Sequence, residues 1–370
     1  MKIIITDKKT LLDSLNRVQG VVEKKNTLQI LSNIYLNAAN DSLIIKATDL
    51  EVSIETSIPV KVLEPGKATI SAKSFYEIIR ELPEKEIQIQ SKDNHWIGIN
   101  CGKSSFNIMG LSPEDFPSLP VFSNKNIQKA RVDVLRNMID HTIYAVSTDE
   151  TRYNFNGVYL EPGEKGKFRM VATDGHRLAF YEDVLFEGNP QTFSKGVIIP
   201  KKGIQEVRKI IENSGPTIDF AAEGNHLLVK AGTTFLSIRM IEGQFPDYRQ
   251  VIPRNNNKIL ELDRSAFLNS LRRVSLLANE KSKGVKLIVT ADKMEISSNN
   301  PDLGEASDHI EVSYKGDHVE TGFNARYLQE ALAVIPEEVV HFELNDRMSP
   351  GLIRVPGKEQ YLSVLMPMRL

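Results

Sequence analysis

The stretch Ala47-Thr48-Asp49 decides the fold, because it recurs further along the chain as Ala172-Thr173-Asp174. Phe116-Pro117 likewise recurs as Phe245-Pro246, and both offsets are close to a third of the 370 residues. Similarity at a fixed spacing is the signature of a chain built from copies of one structural unit. The sequence therefore predicts a threefold repeat.

Each repeat is expected to contain two helices. Apolar residues at every third or fourth position, the mark of one buried helical face, predict a first helix at 8–22, 131–145 and 264–278. Aligned segments predict a second helix at 71–82, 199–212 and 323–335. Ser71 and Asn324 are natural N-caps for two of these helices, and Pro200 suits the first turn of the third.

The remaining sequence alternates between apolar and polar residues, as strands do. The clearest stretches are 43–47, 86–90, 168–171, 217–220, 286–289 and 293–296. Two helices among roughly eight antiparallel strands make each repeat an α+β domain. Polar joints at 123–126 and 254–258 predict domain boundaries at 1–122, 123–254 and 255–370.

The composition is that of a folded chain, with 41% hydrophobic and 25% charged residues. One cysteine excludes a disulfide framework, and the apolar run at the N-terminus is too short for a signal peptide. No stretch approaches the roughly 18 apolar residues that a membrane-spanning helix needs. These features predict a cytoplasmic protein.

The charge is distributed unevenly. The whole chain carries −2, yet the six predicted helices contain fifteen basic and eight acidic residues. A positive helical layer beside a negative sheet layer is the distribution that attracts phosphate. Without an Arg- and Asn-rich recognition helix or a zinc finger, backbone attraction without base readout is expected.

One basic residue occupies the same slot in the first turn of each second helix: Lys73, Lys202 and Arg326. A cation there opposes the helix dipole, and an approaching phosphate would explain the repetition. The alternative is an ordinary solvated charge that pairs weakly with the following glutamate, at Glu77, Glu206 and Glu330.

Helix width constrains any ring. With helices about 10 Å across, six in a circle leave a hole of about 9 Å, whereas twelve leave roughly 28 Å. Only the larger hole admits a double helix whose grooves cut in by about 8 Å on each side. Two chains, not one, would therefore be needed to surround DNA.

Catalytic interpretations are weak. Asp174 and His176 form a tempting pair, but the equivalent Asp49 has no histidine after it, so a turn-forming aspartate is favoured. Residues 98–104 have three residues between their glycines, one fewer than a phosphate-binding loop, and a strand follows them. Cys101 is expected to fill the core or the surface of a strand and not to act as a nucleophile. The seven histidines lack metal-ligand spacing, and no metal or cofactor is expected.

The segments 173–178 (TDGHRL), 243–248 (GQFPDY) and 366–370 (MPMRL) resemble the bacterial DNA polymerase III beta subunit family of sliding clamps. Residues 322–324 and 279–281 support the resemblance, which covers the whole chain. It implies a non-enzymatic, head-to-tail homodimeric ring around duplex DNA. Such a ring tethers the replicative polymerase, the clamp loader and repair proteins through short peptides rich in glutamine, leucine and phenylalanine.

The resemblance also implies site residues. The peptide pocket would comprise Phe155, Thr173, Gly175, His176, Arg177, Leu178, Pro246, Val251, Tyr327, Met348, Val364, Leu365, Met366, Pro367, Met368, Arg369 and Leu370. DNA contacts would be Lys25, Lys73, Arg152, Tyr153, Lys201 and Lys202. Dimer contacts would be Lys73, Lys103, Phe106, Ile108, Leu276, Leu277, Asp302, Glu305 and Asp308, so Lys73 has two competing assignments.

Three positions depart from the family pattern: Gln250 stands in place of an arginine, Ser282 of an aromatic residue and Pro350 of a serine. These three positions bear on which peptide sequences the pocket would prefer. Two other classes of protein remain alternatives at this point: a nucleic-acid-modifying enzyme built on repeats, and a protein-binding repeat scaffold that never binds DNA.

Overall fold

The structure is a computed structural model, and it describes residues 1–23, 28–120, 126–188, 193 and 195–369. The described residues contain six α-helices: α1 (Lys8–Gln19), α2 (Ala72–Glu81), α3 (Val132–Thr142), α4 (Lys201–Ile210), α5 (Arg264–Val274) and α6 (Ala325–Ala333). All six predicted helices are confirmed, each shorter than predicted. Within these bounds the helices carry fourteen basic and seven acidic residues, so the expected positive excess persists.

Side-chain caps set several helix starts. The Ser71 hydroxyl accepts a hydrogen bond from the Ser74 amide, and Asn324 accepts from the amides of Arg326 and Tyr327. Pro200 differs from its prediction: it ends a strand, and α4 begins at Lys201. Because proline has no N–H to donate, it suits this last strand position before the helix.

The chain divides into two compact units, and unit 1 comprises residues 1–133 and 202–240. Its five-stranded antiparallel sheet has the order β5 (Lys61–Glu64), β1 (Lys2–Ile5), β7 (Ile87–Ser91), β8 (Trp96–Cys101), β9 (Ser104–Met109). Its eight-stranded antiparallel sheet has the order β10 (Gln128–Arg131), β15 (Thr217–Glu223), β16 (His226–Ala231), β17 (Thr234–Arg239), β4 (Val52–Pro59), β3 (Ser42–Thr48), β2 (Asn33–Ala39), β6 (Gly66–Ser71).

Unit 2 comprises residues 134–201 and 241–370. Its eight-stranded sheet has the order β14 (Val197–Pro200), β11 (Gly157–Pro162), β12 (Phe168–Thr173), β13 (Arg177–Asp183), β25 (Lys358–Leu365), β24 (Gly351–Val355), β23 (Val339–Leu344), β18 (Lys258–Asp263). Its four-stranded sheet has the order β21 (Gly304–Glu311), β20 (Lys293–Asn300), β19 (Gly284–Thr290), β22 (Val319–Asn324).

Each eight-stranded sheet joins strands of two repeats. In unit 1, β4 of the first repeat pairs with β17 of the middle repeat, with Ile54 opposite Leu236. In unit 2, β13 of the middle repeat pairs with β25 of the third, with Leu178 opposite Val364. The sheets therefore continue across the predicted repeat joints.

The two smaller sheets each end in a strand with one partner among the described residues: β9 in unit 1 and β21 in unit 2. β9 carries the exposed Phe106 and follows Lys103, whereas β21 carries Glu305, Asp308 and Glu311. One edge is thus apolar with an adjacent basic residue, and the other is acidic. An exposed edge strand is a template for pairing with another chain.

Residues 98–101 belong to β8, Gly102 and Lys103 form the turn, and β9 begins at Ser104, so a strand follows as the sequence predicted. Cys101 is buried at the end of β8, and its thiol lies 3.7 Å from the carbonyl oxygen of Pro83. It therefore fills the core. No helix in the described part of the chain is long and apolar enough to cross a membrane.

Candidate functional site

The candidate functional site in unit 2 is built around the turn between β12 and β13. Asp174 Oδ1 accepts hydrogen bonds from the amides of His176 at 2.9 Å and Arg177 at 3.1 Å. The Thr173 hydroxyl donates to the Arg177 carbonyl and accepts from the Gly175 amide. These bonds occupy the side chains of both residues inside the turn.

The turn between β3 and β4 in unit 1 repeats this pattern. Asp49 Oδ1 accepts from the amides of Glu51 and Val52, and Thr48 accepts from the Leu50 amide. Leu50 has a φ of 77°, close to the 88° of Gly175 at the equivalent position. The predicted role of the repeated aspartate as a turn residue is therefore confirmed.

Arg177 follows the turn, and its side chain is buried. Its guanidinium donates to Asp174 Oδ2 at 3.1 Å, to the Tyr144 carbonyl at 2.6 Å and to the Glu330 carboxylate. The guanidinium carbon also lies 4.3 Å from the centroid of the Tyr327 ring, a cation–π distance. Arg177 thus joins the turn to helix α6 of the third repeat.

Glu330 receives a second cation on the same carboxylate. Arg326 donates to Glu330 Oε1 at 2.8 Å, four residues away along α6. Burial raises the pKa of Glu330, but hydrogen bonds from Arg326 and Arg177 outweigh it and hold the pKa below its ordinary value. Glu330 is therefore ionised at neutral pH and completes the network around Arg177.

A cavity of about 290 Å³ lies beside this network. It is lined by Tyr144, Val146, Ser147, Thr148, Asp149, Arg152, Asp174, His176, Arg177, Lys201, Arg326 and Tyr327. The structure thereby brings together residues expected to bind peptide (His176, Arg177, Tyr327) and residues expected to bind DNA (Arg152, Lys201). Burial lowers the pKa of Lys201, and the nearby Arg177 charge lowers it further.

A second cavity of about 300 Å³ shares Arg152 with the first. Its walls include Phe155 and Pro246, both predicted for the peptide pocket, and Tyr153, predicted for DNA. The Phe155 ring packs edge-on against Phe245 at 6.4 Å between centroids, and Phe245 stacks on Tyr159 at 4.8 Å. This cavity is consequently apolar, with a rigid aromatic wall.

The chain end runs past the turn in an extended conformation. The Met366 amide donates to the His176 carbonyl at 2.9 Å, and the Met368 amide donates to the Gly322 carbonyl at 2.8 Å. Met366, Pro367 and Met368 are half-buried and Arg369 is exposed; Leu370 lies outside the described residues. These two backbone hydrogen bonds hold the tail, residues 366–369, next to His176.

Three predicted pocket residues lie elsewhere. Leu178, Val364 and Leu365 are buried in the paired strands β13 and β25, so they support the site from the core and do not line an open surface. In contrast, Val251 and Met348 are exposed. Asp346 holds the turn at Met348 by accepting from the amides of Met348 and Ser349.

The three departures from the family pattern make local hydrogen bonds, and nothing in the structure explains Pro350. Gln250 donates to Asp247 at 3.0 Å, Ser282 accepts from the Gly284 amide, and the Pro350 carbonyl accepts from Asn256. Ser282 also lines a polar groove of about 850 Å³ on the four-stranded sheet, together with Met368.

The predicted DNA contacts fall into three groups. Lys25 lies outside the described residues. Arg152, Tyr153 and Lys73 have exposed side chains, and Lys73 lies 3.9 Å from Glu77. The Lys202 ammonium, however, contacts Asp49 and donates to the Val21 carbonyl at 3.0 Å, so internal partners occupy the group predicted to reach phosphate.

The predicted dimer contacts lie on or beside the end strands β9 and β21 and just after α5. Phe106 and Ile108 are on β9, Lys103 precedes it, and Asp302, Glu305 and Asp308 are in or beside β21. Leu276 is 77% exposed just after α5, and Leu277 is partly exposed. Asp308 already binds Arg273 at 2.9 Å within the chain, so its charge is partly neutralised there.

Sequence reasoning missed several residues of the site. Tyr144 supplies the carbonyl and ring beside Arg177, and its buried hydroxyl donates to Ser363 at 3.0 Å. Asp149 accepts from the Thr151 amide and shapes the segment that carries Arg152 and Tyr153. Only the Asp-x-Thr spacing, typical of a local turn, signals any of this in the sequence.

Gly175→Ala is expected to weaken peptide binding with a small loss of stability. A Cβ at Gly175 would lie 3.0 Å from an Arg152 guanidinium nitrogen, so Arg152 would have to shift. The backbone cost is small, about 1 kcal/mol, as Leu50 shows by adopting the same conformation. Titration of a labelled peptide would measure the affinity; unchanged affinity would mean that the position of Arg152 does not matter.

Comparisons with known proteins agree along the whole chain. Models of the DNA polymerase III beta subunit match its N-terminal domain at residues 1–120, its central domain at 129–247 and its C-terminal domain at 249–369. The Beta sliding clamp of Caulobacter vibrioides is 38% identical, with 100% of both chains covered. A solved sliding clamp from Bartonella birtlesii bound to griselimycin superposes with a TM-score of 0.95 at 34% identity, again with 100% of both chains covered. The Bacillus subtilis sliding clamp superposes at 0.93 with 30% identity, covering 100% of this chain and 99% of the other.

Three tandem α+β repeats that superpose on solved sliding clamps along the whole chain define a clamp-type, ring-forming protein. The chain belongs to the DNA polymerase III beta subunit family, the bacterial beta sliding clamps. Its function is that of a sliding clamp of DNA replication, a processivity factor without catalysis of its own.

Proposed function

We propose that two copies of this chain form a head-to-tail ring around duplex DNA and that unit 2 of each copy captures short peptides of replication proteins. The observation that best supports this proposal is that the Thr173–Arg177 turn, the tail at residues 366–369 and the two cavities cluster in unit 2. The partners are the replicative polymerase, the clamp loader and repair proteins.

The chemistry of the site suits an extended apolar peptide. The second cavity offers aromatic and proline walls to a leucine or phenylalanine side chain, beside Phe155 and Pro246. Met366 lies beside His176 with a half-buried, flexible side chain that is able to adapt to different partners. Polar groups near His176 and Arg152 are available to a glutamine of the peptide.

Strand topology supports the head-to-tail dimer. Within the chain, the strand that follows each Thr-Asp turn pairs with the last strand of the next repeat. Thus β4 of the first repeat pairs with β17 of the middle repeat, and β13 of the middle repeat pairs with β25 of the third. The equivalent strand of the third repeat is β21, and the equivalent last strand of the first repeat is β9. If β9 of one copy pairs with β21 of a second copy, the two copies meet through the same strand pairing that joins successive repeats within one chain.

The same relation between repeats favours assigning Lys73 to the dimer interface and not to DNA. Lys73 occupies in α2 the slot that Lys202 occupies in α4, and Lys202 binds the turn aspartate of the preceding repeat. For α2 the preceding repeat is the third repeat of a second copy, whose turn carries Asp302. We therefore place Lys73 and Lys103 opposite the acidic residues Asp302 and Glu305, with Phe106 and Ile108 against Leu276 and Leu277.

For DNA we propose Lys201, Arg152 and Tyr153, with Lys25 as a further contact. The helices carry the positive excess of the chain, which favours sequence-independent attraction to phosphate. The ring of Tyr153 is 56% exposed and is able to stack on an unpaired base of the template.

Measuring how long the protein stays on DNA distinguishes a ring that encircles DNA from a scaffold that never binds it. Clamps loaded on closed circular DNA should remain bound, and linearising the circle should release them, because a ring leaves only over an open end. Equal loss from circular and linear DNA would contradict encirclement.

Lys201→Gln is expected to reduce loading on DNA and to lessen its dependence on salt. Each phosphate contact that is lost lowers the slope of log affinity against log salt by about 1. Loading on nicked circles would be measured from about 50 to about 200 mM salt. Lys293→Gln, an exposed lysine on the sheet, is the charge-matched control and should load normally.

We also propose the three repeats at 1–122, 123–254 and 255–370, and a cytoplasmic location. The family models, which meet near residues 120–129 and 247–249, support these boundaries. The location is supported by the role of the family in bacterial DNA replication.

A further inference from the structure

Residues 243–252, here called the connector, join the middle repeat to the third and form no strand. They nevertheless supply part of the proposed peptide site, because Pro246 lines the second cavity. Tyr248 is only 4% exposed and packs in an apolar cluster with Leu178 and Val364. Because the connector has no strand partner, its position depends on side-chain contacts, and these contacts decide where the wall of the cavity lies.

Glu161 of β11 anchors the connector to the eight-stranded sheet of unit 2. Its carboxylate accepts a hydrogen bond from the Tyr248 hydroxyl at 2.6 Å and another from the Arg249 guanidinium at 2.7 Å. Arg169 adds a second cation at 3.8 Å from the same oxygen. The Glu161 side chain is only 11% exposed, so its carboxylate would be costly to leave without partners. One carboxylate therefore fixes two successive residues of the connector.

A stacked aromatic pair anchors the connector at a second place. Tyr159 lies two residues before Glu161 on β11, so both side chains face the same side of the sheet. The Tyr159 ring stacks on Phe245 of the connector, with 4.8 Å between the centroids and 5° between the planes. A Cβ at Gly196 would fall 2.1 Å from the Tyr159 hydroxyl oxygen, so the glycine leaves the room that this ring needs. Strand β11 thus holds the connector both before and after Pro246.

We infer that Glu161 is a positioning residue of the peptide site, which holds the connector so that Pro246 forms a wall of the second cavity. This inference rests on the proposed peptide-binding function of unit 2. Glu161 itself lines neither cavity, so it acts on the peptide only through the connector. Burial raises the pKa of the Tyr248 hydroxyl, and the hydrogen bond to Glu161 raises it further, so the hydroxyl remains a donor at neutral pH. If the connector leaves this position, the apparent affinity falls with the fraction of chains that keep it.

Glu161→Gln in the full-length chain tests this role, because it keeps the shape of the side chain and removes its charge. An amide binds Tyr248 and Arg249 less strongly than a carboxylate does, and its NH2 group opposes the Arg249 guanidinium. The affinity for a labelled peptide rich in glutamine, leucine and phenylalanine, measured by fluorescence anisotropy, should fall by at least about fivefold. Hydrogen exchange of residues 243–252, measured by mass spectrometry, should become faster.

Glu182→Gln is the matched control for this experiment. Glu182 lies on β13 with a side chain that is 17% exposed, and it binds Arg169 and Lys167, which both lie outside the connector. The substitution removes a partly buried ion pair from the same sheet, yet it should leave the peptide affinity and the exchange of residues 243–252 unchanged. An equal loss of affinity in both variants would show that general stability, and not the connector, sets the affinity.

Tyr248→Phe tests the same hydrogen bond with little disturbance of packing, because the ring stays in its apolar cluster. It should weaken peptide binding by about threefold, and clearly less in the Glu161→Gln background, because the two groups share one bond. Unchanged affinity in both Glu161→Gln and Tyr248→Phe would overturn the positioning role while the proposed function stands. If the unmodified chain did not bind the peptide at all, the proposed function would fail together with this inference.

Discussion

Removing Met366–Leu370 is expected to abolish the binding of partner peptides while the clamp keeps its fold and its dimer. The deletion begins just after the last residue of β25, Leu365, so every strand pair remains. It removes two half-buried methionines and the backbone contacts of Met366 with His176 and of Met368 with Gly322. Truncation of a central hot-spot anchor costs about 2 kcal/mol or more, which weakens binding by at least about 30-fold.

The affinity would be measured by fluorescence anisotropy with a labelled peptide rich in glutamine, leucine and phenylalanine. The double substitution Met366→Ala/Met368→Ala tests the side chains alone, because the tail backbone and its hydrogen bonds are kept. Circular dichroism and mass in solution serve as controls. A truncated chain that lost its folded spectrum would show that the tail belongs to the core, against the separation proposed here.

Leu276→Asp is expected to convert the dimer to a monomer at micromolar concentration. Leu276 is 77% exposed after α5, and the proposed interface buries it against Phe106 and Ile108 of the second copy. A carboxylate placed in that apolar contact would lose its hydration without gaining a partner, at a cost of several kcal/mol. Light scattering or sedimentation would report the mass.

Ile259→Asp is the matched control for this prediction. Ile259 is 48% exposed on β18, an edge strand of the eight-stranded sheet in unit 2, which the proposed interface does not use. It should remain dimeric and should load on DNA. An undisturbed dimer in Leu276→Asp would place the interface elsewhere on the chain.

Local patterns in the sequence predicted the fold well. The first helix of each repeat follows from apolar periodicity, and the second follows from the alignment of the repeats. The role of Asp49 and Asp174 follows from their recurrence before short turns. A single sequence records these features directly, either as local patterns or as similarity between repeats.

Features that depend on distant residues were harder to predict. The partner of Lys202 is 153 residues away at Asp49, and the same separation joins Arg177 to Glu330, so no local pattern reveals either pair. Leu178, Val364 and Leu365 were assigned to the pocket by position, and strand pairing buries their side chains. Burial is a property of the assembled sheet, and sequence similarity transfers the place of a residue without its exposure.

The continuity of the eight-stranded sheets has a practical meaning for anyone dissecting the protein. An isolated first repeat, ending near residue 122, would remove β17 from β4 and leave those backbone amides and carbonyls of Val52–Thr56 that face β17 without a strand partner, although β3 still pairs with the other side. A newly exposed apolar edge strand can pair with other chains and so promotes aggregation. Excised fragments for crystallography or screening should therefore follow the two compact units and not the repeat boundaries, even though this requires rejoining segments that are far apart in the gene.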